Sequence, residues 1–148
     1  MAPYALDWAD KEPIVASGGY DKNVLVWNIE HKLIKERNSL EGRDVKEFKK
    51  VKRLNECVKL QGHTENVEGV VFNPASSNDL CSVSVDKQII LWDLRSGKHS
   101  SKLTDIHGSD INCADWSSLN THYICTGSSD QSIALTDIRK VLFSYYIE

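Results

Sequence analysis

Residues 62–98 read GHTENVEGVVFNPASSNDLCSVSVDKQIILWDLRSGK, and residues 106–140 read IHGSDINCADWSSLNTHYICTGSSDQSIALTDIRK. Aligned on His63 and His107, the two stretches match at a constant spacing of 44 residues. The same spacing relates Phe72 to Trp116 and Asp86 to Asp130. A fixed period of roughly 20 to 50 residues is the signature of a repeat architecture, so this period decides the fold before any single motif does.

A third copy of the pattern begins earlier in the chain, at Tyr4. Its Trp8 and Asp21 precede their counterparts Phe72 and Asp86 by 64 and 65 residues. About 20 residues are therefore inserted after the first copy. This insert is basic, because residues 31–54 hold nine Lys and Arg against four acids in a chain of net charge −3. A basic insert in an acidic body indicates two surfaces with different roles.

Each copy is predicted to form three short strands, separated by turn residues. The predicted strands are 4–8, 14–19 and 23–27, then 67–72, 79–84 and 88–92, then 111–116, 123–128 and 132–136. Two-residue turns led by Asp21, Asp86 and Asp130 join the second and third strands. A fourth strand is expected before each His, at 57–61 and 101–105.

Four antiparallel strands in each period predict a propeller blade. The fold class is therefore all-β, a partial β-propeller of about three four-stranded antiparallel blades, too few to close a ring of the four to eight blades that propellers have. The predicted organisation is a partial first blade (1–30), the basic insert (31–56), a complete second blade (57–98), a degenerate third blade (99–140) and an apolar tail (141–148). The tail is either an outer strand of the last blade or an unrelated terminus.

Gly62-His63, then Asp86, then Trp92-Asp93 resemble the signature of the WD-repeat family, and the resemblance covers residues 4–140. It implies one buried hydrogen-bond network per blade, formed by a His, a Ser or Thr, an Asp and a Trp. Carried over by position, the network residues are His63, Ser82, Asp86 and Trp92 in the second copy, Ser17, Asp21 and Trp27 in the first, and His107, Thr126 and Asp130 in the third. The third copy departs from the pattern, because Thr136 stands at the Trp position, and the first copy lacks the His.

His63, Ser82 and Asp86 also have the residue types of a catalytic triad. A similar trio recurs in the third copy, whereas a catalytic triad has no reason to recur once per structural repeat. Gly-rich phosphate loops, HExxH and nucleophile elbows are absent from the sequence. The four cysteines form no CxxC pair, which argues against a zinc site. We therefore expect no enzyme, no catalytic residue, no cofactor and no metal.

Residues 62–98, 106–140 and EPIVASGGYDKNVLVWNIEHKLI (12–34) resemble the histone-binding branch of that family, the retinoblastoma-binding or MSI-type proteins of chromatin complexes, and most of all its plant flowering-time members. The resemblance implies a scaffold whose partners are histone tails or other basic peptide segments and chromatin complex subunits. By register, the residues on the upper rim of the ring are Tyr4, Tyr20, Asn66, Glu68, Asp110 and Asn112. Glu68 and Asn112 match the positions with which the family grips basic peptides, although Glu68 is equally explained as a solvated charge at a strand end.

A second function class is also open. Trp92, Asp93 and Arg95 resemble the WDxR box by which some propellers dock onto the adaptor of cullin-RING ubiquitin ligases. Arg95 would be the anchor, because its planar fork makes paired hydrogen bonds that Lys cannot make. The alternative is an Arg that only closes the outer turn of the blade.

The basic insert contains a dense cationic cluster, Lys49, Lys50, Lys52 and Arg53, of the kind that import receptors bind. With the chromatin resemblance it predicts a nuclear protein, with the cytoplasm as a second location. The rival interpretation is a solvated loop. Deletion of residues 46–54 is expected to abolish nuclear accumulation, and an unchanged distribution on microscopy would contradict the targeting role.

Composition and charge exclude other classes. The chain is 41% hydrophobic and 26% charged, as in globular proteins, and its net charge of −3 argues against general nucleic-acid binding. Neither a membrane-spanning apolar run nor a signal-peptide pattern is present in the sequence. We expect a soluble protein with no membrane partner and no specific nucleic acid.

Overall fold

The computed structural model describes residues 3–30, 58–140 and 144–147. These residues form three four-stranded antiparallel sheets. The first contains β1 (Pro3–Trp8), β2 (Ile14–Gly19), β3 (Asn23–Asn28) and β4 (Val58–Gln61). The second contains β5 (Val67–Asn73), β6 (Ser76–Ser84), β7 (Ile89–Asp93) and β8 (Lys98–Leu103). The third contains β9 (Ile111–Trp116), β10 (Tyr123–Ser128), β11 (Ile133–Asp137) and β12 (Ser144–Ile147).

The predicted all-β class and partial propeller are confirmed, with three antiparallel sheets and no closed ring. Every predicted strand is present to within a few residues. In the described part of the chain, no helix is long and apolar enough to cross a membrane.

The sheets are offset by one strand from the repeat boundaries. The strand before His63 pairs with β3, with Asn23 opposite Gln61 and Val26 opposite Val58. It thus completes the first sheet, on the edge that β3 leaves open, and the chain then crosses to the innermost strand of the next sheet. The first copy therefore has all four strands, although the sequence predicts a partial blade.

The apolar tail supplies the matching outer strand of the third sheet. Its β12 pairs with β11, with Ile147 opposite Ile133 and Ser144 opposite Thr136. Of the two interpretations of the tail, the structure shows the outer strand for Ser144–Ile147.

The hairpin between the second and third strands has the same backbone in every sheet. The residue after the turn Asp has a positive φ in each case, 64° at Lys22, 65° at Lys87 and 72° at Gln131. In the second and third sheets the Asp carboxylate accepts a backbone N–H two residues ahead, at 3.0 Å from Gln88 and 2.9 Å from Ser132. This local hydrogen bond is why Asp occupies the position.

Two apolar cores lie between the sheets. The first joins Ala16 and Val24 of the first sheet to Phe72, Leu80 and Trp92 of the second. The other joins second-sheet residues, including Cys81, Val83 and Leu103, to third-sheet residues, including Ile111, Trp116 and Ile124. Each sheet therefore buries a face against its neighbour, and the innermost strands β1, β5 and β9 lie side by side.

Candidate functional site

The middle sheet contains a complete four-residue hydrogen-bond network. His63 Nε2 lies 2.7 Å from Ser82 Oγ, and His63 Nδ1 lies 3.0 Å from the Asp86 carboxylate. The indole N–H of Trp92 donates to Ser82 Oγ at 2.8 Å. The structure thus brings together all four residues that the resemblance selects in this copy.

The environment of Ser82 differs from that of a catalytic serine. The residue is fully buried, and its hydroxyl lies between the Trp92 N–H and the His63 ring. A nucleophile must reach a substrate, and this oxygen has no solvent access. The triad-like geometry therefore holds β4, β6 and β7 in place.

Gly62 is required by the same network. A Cβ at this position would lie 2.8 Å from Cη2 of Trp92. Any side chain here would displace the indole that donates to Ser82. Gly is therefore needed before His63 so that Trp92 can pack against the backbone.

Asp86 is held in its ionised form. Burial raises its pKa, but the hydrogen bonds from His63 and from the backbone N–H groups of Thr64 and Gln88 outweigh burial and lower the pKa below its ordinary value of 3.8. Asp86 Oδ2 accepts the Thr64 N–H at 2.8 Å. This carboxylate therefore links the loop after β4 to the hairpin between β6 and β7.

The third sheet forms a modified network. His107 Nε2 lies 2.8 Å from Thr126 Oγ1, as expected. His107 Nδ1 lies 2.9 Å from Ser132 Oγ, and that hydroxyl donates to Asp130 at 2.6 Å. Hydrogen bonds from Ser132 hold the pKa of Asp130 below its ordinary range.

Ser132 was missed by the sequence reasoning, although its position was available. Gln88 occupies the matching position in the second copy, 44 residues earlier. The Ser132 hydroxyl bonds both His107 and Asp130, and His107 Nδ1 also lies 3.4 Å from Asp130 Oδ2. Thr136, at the Trp position, is buried.

The first sheet has residues of the network types at the matching positions, but they do not form the network hydrogen bonds. Among the described residues, no hydrogen bond joins Ser17, Asp21 and Trp27. Ser17 is buried, and Asp21 lies in the turn, where its carboxylate accepts the Asn23 N–H at 3.4 Å. The first copy lacks the His that links Ser82 to Asp86 in the second sheet.

The predicted rim residues Tyr4, Glu68 and Asn112 share an unusual backbone position. Each lies at a register shift near the start of the innermost strand of its sheet, where the pairing skips one residue opposite the hairpin. Such β-bulges re-aim a side chain and are frequent at binding sites. Tyr4 and Asn112 are exposed, and Glu68 is half-buried.

The other three predicted rim residues lie at the same end of the sheets. Tyr20 is exposed at the hairpin after β2. The carbonyls of Asn66 and Asp110 accept backbone N–H groups from Val85 and Ser129 of the neighbouring hairpins, at 3.0 and 2.9 Å. These two bonds fix the loops before β5 and β9.

At the rim, two lysines have partners, whereas two carboxylates have none among the described residues. Lys22 pairs with Glu65 at 3.4 Å, and Lys87 donates to the Gly108 carbonyl at 2.9 Å, so these cations bridge neighbouring sheets. Within the described residues, the carboxylates of Glu68 and Asp110 have no hydrogen-bond or ion-pair partner. The unpaired charge at this end is therefore negative.

The adaptor-docking motif is only partly exposed. Trp92 is buried and bonded to Ser82, so it cannot contact a partner. Arg95 is exposed, and only its Nε donates to Asp93, at 3.2 Å. In the third sheet, Arg139 instead makes a two-pronged pair with Asp137, at 2.9 and 2.7 Å.

A further cavity lies at the end of the sheets opposite the rim. It measures about 500 Å³ and is lined by acidic residues (Asp7, Asp10, Asp115) and apolar ones that include Trp8, Phe72 and Trp116. The sequence reasoning did not find this cavity, because its walls come from three copies and meet only when the sheets pack side by side. In the described part of the chain, no cluster of His, Cys, Asp and Glu could hold a metal ion.

The nuclear-targeting candidates Lys49, Lys50, Lys52 and Arg53 lie outside the described residues.

Of the cysteines in the described part, Cys81 is buried, and burial raises the pKa of its thiol to about 12. It is therefore an inert core residue.

Comparison with known proteins agrees with this geometry. The family model described as WD domain, G-beta repeat matches residues 2–28, 54–93 and 98–137, more than half of the chain. WD-40 repeat-containing protein MSI4 of Arabidopsis thaliana is 35% identical over 149 residues, which cover 95% of the chain and 29% of that relative. The resemblance to the WD-repeat family and its MSI-type members is thus confirmed.

Two further relatives come from the same plant. WD-40 repeat-containing protein MSI3 is 28% identical over 139 residues, covering 93% of the chain and 29% of the relative. THO complex subunit 3 is 28% identical over 137 residues, covering 93% of the chain and 37% of the relative. The chain thus spans about a third of the length of these curated relatives.

Proposed function

The chain belongs to the WD domain, G-beta repeat family, and from this premise we propose that it is a non-enzymatic scaffold of nuclear chromatin complexes that binds basic peptide segments, histone tails among them, on its upper rim. The observation that carries the proposal is the repeated β-bulge, which presents Tyr4, Glu68 and Asn112 at one end of the three innermost strands. The similarity to MSI4 and MSI3 supports the choice of a chromatin partner.

The three bulged side chains offer complementary contacts to Lys and Arg. The Glu68 carboxylate has no described partner, so it is free to form a charge-assisted hydrogen bond with a basic side chain. The exposed Tyr4 ring can take a cation over its face. Asn112 donates its amide N–H to Ser129 Oγ at 2.9 Å, which leaves its carbonyl oxygen to accept from a ligand N–H.

A non-catalytic role agrees with the buried network. Ser82, His63 and Asp86 have the relative positions of a triad, but the serine is closed off from solvent. THO complex subunit 3 is by its name a component of a larger complex, which agrees with a scaffold role. Nuclear location is part of the proposal and rests on the cluster at Lys49–Arg53 together with the chromatin assignment.

Reversing the charge at Glu68 is expected to weaken peptide binding. With a histone-tail peptide in isothermal titration calorimetry, Glu68→Lys should lower affinity about tenfold or more, about 1.4 kcal/mol. The remaining affinity should depend less steeply on salt, because a screened charge pair has been lost.

Glu12→Lys is the matched control, since Glu12 is exposed in the loop at the opposite end of the first sheet. It makes the same change in net charge and should leave affinity within about twofold. Equal losses for the two variants would mean that only net charge matters, and the rim site would be withdrawn.

Adaptor docking is a second candidate function, and one observation favours it. The terminal guanidinium nitrogens of Arg95 have no described partner, whereas the Arg139 fork is occupied by Asp137. An exposed guanidinium can make the paired hydrogen bonds that docking requires.

Arg95→Ala is therefore expected to abolish capture of the chain by a purified cullin-RING adaptor, while Arg139→Ala leaves it intact. Pull-down with both variants measures this difference. Undiminished capture of Arg95→Ala would exclude the docking role.

A further inference from the structure

Matching repeat positions are buried in two sheets and exposed in the first. Trp8 of β1 is 53% exposed, whereas its counterparts Phe72 and Trp116 are 3% and 4% exposed. Leu6, two residues before Trp8 on the same face of β1, is 62% exposed, and its counterpart Val70 is 6% exposed. No described residue covers this face of the first sheet, although the same face of each following sheet is part of a core.

The first sheet shows what covers such a face. Its opposite side packs on Val70 and Phe72 through two features. Gly18 leaves room for the second sheet, since a Cβ there would overlap Val67 and lie 3.3 Å from Val70 Cγ1. Asp7 Oδ2 accepts the backbone N–H of Phe72 at 2.7 Å.

The third sheet carries both features on its uncovered side. Gly127 matches Gly18 and Asp115 matches Asp7 in the repeat. A Cβ on Gly127 would meet only Cys113 Sγ of its own sheet. Asp115 is exposed, and its carboxylate has no hydrogen-bond or ion-pair partner among the described residues. The third sheet thus carries the surface that the first sheet uses to cover Val70 and Phe72.

The backbone of β1 offers the complementary donor. Ala9 donates its N–H to the Ile14 carbonyl at 3.0 Å, and in an antiparallel pair successive N–H groups point in opposite directions. The N–H of Trp8 therefore points away from β2, as the Phe72 N–H does when it bonds Asp7.

We propose that two copies of this chain associate head to tail, with the third sheet of each copy packed on the first sheet of the other. Asp115 of one copy accepts the Trp8 N–H of its partner, and Leu6 and Trp8 become buried over Gly127. Two such contacts, related by a two-fold axis, close a ring of six sheets, which lies within the range of propellers. The charge and side chains of the rim take no part, so this inference is independent of peptide binding.

Sedimentation equilibrium of the purified 148-residue chain tests the closure. The expected mass is twice the 16.7 kDa of one chain. Trp8→Glu should reduce it to that of one chain, because it removes the apolar contact and places a second carboxylate beside Asp115. Val58→Glu is the control, since Val58 is 50% exposed on the other face of the same sheet, and this variant should remain dimeric.

Asp115→Lys, an exposed substitution on the opposite contact surface, should also give a single-chain mass, and circular dichroism of each variant verifies its strand content. A single-chain mass for the unchanged protein, a mass that grows without limit with concentration, or a dimer that survives both Trp8→Glu and Asp115→Lys would overturn the proposal.

Discussion

Replacing Trp92 with alanine is expected to lower the free energy of unfolding by about 3 to 5 kcal/mol. The side chain is almost fully buried in the core between the first two sheets. Its removal leaves a large cavity and takes away the N–H that donates to Ser82. Urea unfolding followed by circular dichroism measures the loss.

The third sheet supplies the control for Trp92. Thr136 occupies the same repeat position, is buried and lacks an indole, so Thr136→Ala should cost about 1 to 2 kcal/mol. Trp92→Phe should cost an intermediate amount, because it retains most of the apolar area but loses the donor. Equal losses for Trp92→Ala and Thr136→Ala would contradict the central place of Trp92 in the fold.

Replacing Asp86 with alanine is expected to cost about 2 to 3 kcal/mol at pH 7. The carboxylate accepts hydrogen bonds from His63 and from the backbone of Thr64 and Gln88, all of which lose their acceptor. Chemical unfolding of both proteins at a series of pH values gives the difference.

The cost of Asp86→Ala should also depend on pH. Because the folded-state pKa of Asp86 is lowered, its contribution is present above the ordinary value of 3.8 and is lost as pH falls through the lowered value. The difference between the two proteins should therefore shrink from about pH 5 toward about pH 2. A difference that stays constant over this range would show that the Asp86 charge does not stabilise the fold. Glu12→Ala, at an exposed loop residue, should cost little at any pH.

Local features of this fold were predictable from the sequence because they depend on short-range chemistry. The Asp at each hairpin bonds the backbone two residues ahead, so Asp86 and Asp130 mark their turns in the sequence. The 44-residue spacing likewise marks His63, and the WD-repeat resemblance selects Trp92. Both side chains form their hydrogen bonds within one sheet and its adjoining loop.

Features that depend on the neighbouring sheet were not predictable in this way. The strand before His63 joins the first sheet because β3 has an open edge, which no residue pattern in 58–61 reveals. The cavity opposite the rim brings Asp7 and Asp115 together from repeat copies more than a hundred residues apart. Ser132 bonds both His107 and Asp130, which also lie 3.4 Å apart, and the sequence shows it only as a small side chain at the Gln88 position.

The rim has one feature that the sequence predicts and one that it does not. Register alone selected Glu68 and Asn112, since they occupy the same repeat position. The β-bulges at which they lie arise from the pairing of each innermost strand with the hairpin opposite, and were not predicted. That shared backbone geometry is the strongest reason to regard these residues as one surface.

The most direct test of this surface is a nuclear magnetic resonance titration of the isotope-labelled chain with a histone-tail peptide. We predict that the amide resonances of Tyr4, Glu68 and Asn112 and of the neighbouring hairpins shift, and that those of Asp7 and Trp116 at the opposite end do not. Shifts confined to the opposite cavity, or no shifts at saturating peptide, would contradict binding at the rim.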